Sequence, residues 1–128
     1  MRKLFFILMF SLSLSVSSEE TISRWMADYF KRIHDHIGNE NYEKAQNELE
    51  MGDKNYFRGG RTYEAALLYQ LYGQFYAVQS QYTNAIPWFE KALATGKMPR
   101  IGQQEVRFQL AQTYFMIGNY ENVIPLLE

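Results

Sequence analysis

The residues with the most obvious chemical potential are His34 and His36, which flank Asp35 in the run His34-Asp35-His36. Imidazole is a common metal ligand and can act as a general base near neutral pH. Side chains two apart on a helix diverge, however, so on a helix these two rings cannot share one ion and a solvated or capping role is expected. The 128 residues contain no cysteine, which removes disulfides and thiolate metal sites. No serine sits in a nucleophile elbow, and Gly59-Gly60 alone does not make a phosphate loop. Glu43, Glu48 and Glu50 lie on the polar side of an amphipathic stretch, whereas acid–base catalysis needs a pair inside a cleft. The expectation is therefore no enzyme, no cofactor and no metal site. What remains is the chemistry of recognition, carried by aromatics that make up 16% of the chain, ten of them tyrosine. Tyrosines along helix–helix seams, with the hydroxyl at a wet edge, account for that excess.

The elements that must position these residues are organised around Tyr69 to Phe89. Tyr69, Tyr72, Gly73, Tyr76, Ala85 and Phe89 stand at the spacing of an aromatic, a large apolar residue, Gly, Tyr, and Ala-x-x-x-Phe. This stretch resembles the tetratricopeptide repeat, a pair of antiparallel helices. In such a pair Gly73 leaves room for the second helix, Tyr76 fills the space below the turn, Ala85 lets the crossing close and Phe89 anchors it. A weaker copy occupies residues 22 to 52, with Tyr29, Ile33 and His36 on the first helix, Asn41-Tyr42 at the turn, and Ala45 and Leu49 inward on the second; that helix ends near Gly52 or frays towards Tyr56. A third copy starts near Gln103, where Leu110, Ala111 and Tyr114 repeat the Tyr72, Gly73 and Tyr76 positions. Gly118-Asn119-Tyr120 repeats the turn, and Pro125 falls in the register of Pro87. Pro87 is expected near its helix start, where a missing backbone donor costs least. The turn tyrosines Tyr42, Tyr82 and Tyr120 lie 40 and 38 residues apart, against about 34 in the standard repeat. The fold expected is all-α, an α-solenoid of helix-turn-helix tetratricopeptide-like repeats over 22–128, with repeats at about 22–56, 62–96 and 103–128.

Two connectors separate the copies. Lys54 to Arg61 is the most basic short stretch and reads as a solvated link, with Thr62 capping a helix that begins at Tyr63. Gly96, Pro99 and Gly102 mark the second link, Thr95 to Gly102. Ile124, Leu126 and Leu127 form an apolar face that a stack must cover. The expectation is a truncated third repeat, continued by further chain or completed by another one.

The N-terminus reads as a secretory signal peptide. Met1-Arg2-Lys3 is positive, Leu4 to Phe10 is apolar, and Val16-Ser17-Ser18 is followed by Glu19, which places cleavage near Ser18. An uncleaved anchor is the alternative, but the serine-interrupted run is short against the roughly 20 apolar residues of a span. Removing 1–18 takes Arg2 and Lys3 from the 13 Lys+Arg and nothing from the 14 Asp+Glu, leaving a net charge of −3. A mildly acidic exported chain is a poor binder of nucleic acid. A periplasmic or otherwise exported location is expected, with only indirect membrane contact.

Solenoids bind extended peptides or partner helices on the concave surface lined by first helices. By register that groove comprises Phe30, His34, Leu67, Gln70, Gln74, Val78, Phe108, Gln112, Phe115 and Met116, of which Leu67, Val78 and Phe115 read equally as core between repeats. It lacks the Lys and Asn with which chaperone-binding tetratricopeptide domains hold a C-terminal carboxylate. The segments Ala85-Ile86-Pro87-Trp88-Phe89-Glu90-Lys91-Ala92-Leu93, Lys97-Met98-Pro99 and Leu110-Ala111-Gln112-Thr113-Tyr114-Phe115 resemble exported tetratricopeptide proteins that accompany TonB–ExbB–ExbD systems of Gram-negative bacteria. That resemblance, over the second half of the chain, implies a periplasmic accessory that binds TonB-type or ExbD-type segments. The expected function is a non-catalytic protein-interaction scaffold. The alternative is the N-terminal repeat region of a longer envelope enzyme such as a peptidase.

Overall fold

In a computed structural model, residues 23–57, 60 and 62–128 are described. They form an all-α protein with no strand among them: α1 (Arg24–Gly38), α2 (Tyr42–Met51), a π-helical turn (Gly52–Phe57), α3 (Tyr63–Val78), α4 (Tyr82–Ala94), α5 (Arg100–Met116), a 3-10 turn (Tyr120–Asn122) and α6 (Val123–Leu127). The signal-peptide reading falls on residues outside the described ones. No helix among the described residues is long and apolar enough to cross a membrane.

The chain runs as three helical hairpins whose turns share one geometry. The residue two before each turn tyrosine takes a left-handed conformation: Glu40 (φ 59°), Ser80 (φ 63°) and Gly118 (φ 79°). The next N–H, of Asn41, Gln81 or Asn119, donates back five residues to the carbonyl of His36, Tyr76 or Tyr114 at 2.8, 2.9 and 2.9 Å. This closes the last turn of each first helix and satisfies carbonyls that the helix leaves open. Three different residues occupy the left-handed position, so the conformation is imposed by the packing of the hairpins rather than by glycine.

Helix α3 is the centre of the core. Its sequence is apolar on nearly every side, and only Glu64 and Tyr76 along it are not buried. A helix apolar all round belongs inside. It packs on α4 and also meets α1, α2 and the π-helical turn. Thr62 caps its start, Oγ1 accepting from Ala65 N–H at 3.1 Å, as the position of Thr62 before Tyr63 predicts. The sequence stripe Ala65, Leu68, Tyr69, Tyr72 and Tyr76 therefore describes only one of the faces that α3 buries.

Gly73 sits where α3 and α4 cross. A Cβ there would lie 2.5 Å from Cδ1 and 2.7 Å from Cζ of Phe89, well inside van der Waals contact with the ring. Trp88, next to Phe89, stacks on Tyr72 at 3.9 Å between centroids and 8° between planes. Lys91 Nζ lies over both Tyr69 and Trp88, at 4.6 and 5.0 Å.

Two boundaries differ from expectation. Pro87 is the sixth residue of α4, inside the helix rather than at its start, so the Thr83 carbonyl has no N–H four residues on. Helix α5 begins at Arg100, three residues before Gln103, because Pro99 already supplies the extended N-cap and Gln103 Nε2 donates to the Met98 carbonyl at 2.8 Å. Helix α2 ends at Met51 with Gly52 as its C-cap, as expected near Gly52, and the chain continues as the π-helical turn Gly52–Phe57. There the backbone of Gly52 lies against the hydroxyl of Tyr29, whose O–H donates to the Glu48 carbonyl.

Candidate functional site

Helices α3 and α5 are the first helices of successive hairpins, and along their shared side lies a set of buried polar groups. Gln70 Nε2 donates to Gln109 Oε1 at 3.1 Å, a contact between residues 39 apart in sequence. Gln74 is one turn along α3 from Gln70, while Glu105 and Thr113 stand one turn to either side of Gln109 on α5. All five are buried. Thr113 Oγ1 is satisfied by donating to the Gln109 carbonyl at 2.7 Å. Beyond that bond and the Gln70–Gln109 pair, six polar atoms are not satisfied. Gln70 Oε1, Gln74 Nε2, Gln109 Nε2, both carboxyl oxygens of Glu105 and Gln112 Oε1 are shut off from solvent without a hydrogen bond.

Leaving buried polar groups unpaired costs free energy, on the order of 1–3 kcal/mol each, and native proteins rarely tolerate several together without a reason. The electrostatics of Glu105 follow from the same burial. Desolvation pushes its carboxyl up to about 7. The Gln70 amide beside it offsets part of that, without making a hydrogen bond to either oxygen. No charged group among the described residues contributes. Glu105 is thus a carboxyl without a counter-ion, poised to change charge near neutrality.

The residues predicted to line an open groove divide into two groups. Phe30, Leu67 and Val78 belong to the hydrophobic core, and Phe30 stacks on Phe57 at 6.2 Å. Gln70 and Gln74 are also buried, in the polar seam rather than on a surface. For these five the open-groove expectation is corrected: Phe30 on α1 and the other four on α3 are buried, Leu67 and Val78 in line with the core alternative. Phe108 and Phe115 are exposed, Gln112 and Met116 are half-buried, and all four lie on α5. Phe108, Gln112 and Phe115 stand at i, i+4 and i+7, one continuous face. His34 lies on α1, half-buried, with Nδ1 3.8 Å from Asp35 Oδ1. Its burial holds the imidazole below its ordinary value, against the pull of Asp35.

Glu105, Gln109 and Thr113 were missed by the sequence reading. Their signal is present as polar residues four apart, next to the buried pair Val106 and Leu110. Leu110 and Ala111 are buried while Phe108 and Phe115 are exposed, as the register of the third copy has it, and the inward face of α5 extends further, to Glu105, Gln109 and Thr113. Among the described residues no group of three His, Cys, Asp or Glu side chains could hold a metal ion. The seam offers hydrogen bonds and one titratable carboxyl, the chemistry of binding. Compared with protein-family profiles, with characterised proteins and with solved structures, the chain matches none.

Proposed function

We propose that this chain is a non-catalytic protein-interaction scaffold, a short solenoid of tetratricopeptide-like hairpins that holds a partner peptide or helix against α5. The observation that carries this reading is the stripe of exposed Phe108, half-buried Gln112 and exposed Phe115, which runs along α5 beside the buried amides of Gln70 and Gln109. Exposed aromatics beside hydrogen-bonding side chains suit a segment that brings both apolar side chains and backbone polar groups. The shared geometry of the three turns supports a repeat. In this reading residues 1–18 are a signal peptide, the mature chain works in the periplasm, and its partner is a periplasmic segment of TonB or ExbD type.

The test is photo-crosslinking in the native envelope, with the crosslinker at Phe108 or Gln112. Capture of one defined partner, lost when Phe108 and Phe115 are both changed to Glu, is the expected result. Equal capture from crosslinkers at Glu43 and Asn47, on the exposed side of α2, would overturn the groove.

A further inference from the structure

The unpartnered atoms of the α3–α5 seam specify what it lacks. Four are acceptors, namely Gln70 Oε1, Gln112 Oε1 and the two Glu105 oxygens, and two are donors, Gln74 Nε2 and Gln109 Nε2. A lining rich in acceptors with a carboxyl at its centre is complementary to a donor-rich cation. None is supplied among the described residues. Glu64 on α3, Glu90 and Lys91 on α4, and Arg100 and Arg107 on α5 itself do not figure among the causes of the shift of Glu105, which among the described residues are burial and Gln70. Lys91 is engaged over Tyr69 and Trp88.

From this geometry we infer that the seam takes the lysine or arginine side chain of an extended peptide, with Glu105 as its counter-ion and the amides of Gln70, Gln109 and Gln112 sharing its N–H groups. The inference rests on the peptide-binding reading above and names the ligand chemistry of that same site. Access is from the side of Gln112, which is half-exposed and flanked by exposed Phe108 and Phe115. Those rings receive the residues on either side of the basic one, and their faces suit its approach. Seating the cation parts the Gln70–Gln109 amide bond, a neutral pair that a charge-assisted contact outweighs. It also fixes Glu105 in its ionised form, so a carboxyl that is protonated in part near neutrality releases its proton on binding.

The experiment is selection of a random phage-displayed peptide library on the immobilised protein and on Glu105→Gln. Calorimetry of a selected peptide follows, in two buffers of different ionisation enthalpy at pH 6.5. The expected result is a lysine or arginine at one fixed position of the selected peptides, binding weakened by at least about tenfold in E105Q, and release of a substantial fraction of one proton by the wild type. Peptides enriched with no basic position, or binding E105Q equally well, would overturn the cation site and leave the groove standing. No enrichment over a blank surface would overturn the peptide-binding reading itself. If E105Q does not fold, the proton release by wild type decides: binding without it sinks the proposal.

Discussion

Gly73 lies directly against the ring of Phe89, so close that any β-carbon at 73 would clash with the ring. The α3–α4 crossing is set by this contact, because Phe89 is fully buried and close-packed interiors leave a ring little room to move aside. Gly73→Ala gains roughly 1 kcal/mol of helix propensity but overpacks a closed core. The net expectation is a loss of about 1–2 kcal/mol, read as a lower urea midpoint with an unchanged slope. A variant as stable as the wild type would mean that the crossing is not closed here.

The turns allow a cleaner comparison. Ser80 and Gly118 hold the same left-handed position with φ of 63° and 79°, a conformation that costs a residue with a Cβ about 1 kcal/mol. Ser80→Gly should therefore stabilise, or at worst leave stability unchanged, while Gly118→Ala should destabilise by about 1 kcal/mol. Thermal unfolding of the two variants checks both. Opposite signs from those stated would show that the three turns are not equivalent.

Stability should also depend on pH through Glu105. Its folded carboxyl is raised from 4.5 to about 7, so between these values the folded chain binds more protons than the unfolded one. The stabilisation from neutral Glu105 is full below about pH 4.5 and is lost as pH rises through 7. Glu105→Gln carries no such charge. Relative to E105Q, the wild type should lose about 1–3 kcal/mol between pH 5 and pH 8. Parallel urea titrations would establish this, and curves that keep a constant separation would mean that the carboxyl is hydrated.

Tyr72 and Trp88 stack face to face across α3 and α4. Truncating each to Leu, singly and together, isolates their pairwise term. A coupling of about 0.5–1.5 kcal/mol is expected. Additive losses would reduce the pair to simple burial.

The local elements were legible in the chain itself. Spacing of apolar residues, Thr62 before Tyr63, and the repeated tyrosines at 42, 82 and 120 placed the hairpins and their turns, because helix period and turn chemistry are properties of neighbouring residues. The all-α class followed from the same signals. Even the missed positions 105, 109 and 113 carried a helical period that could have drawn notice.

Tertiary structure alone decided which faces are inside. Sequence register made Gln70 and Gln74 a surface, and the fold buried them, because α3 is enclosed by elements distant in sequence and no local pattern records how many neighbours a helix will have. The burial of Glu105 and Gln109 on α5 has the same cause. It is set by the fit of side chains between hairpins, and the contact that marks it, Gln70 to Gln109, joins residues 39 positions apart.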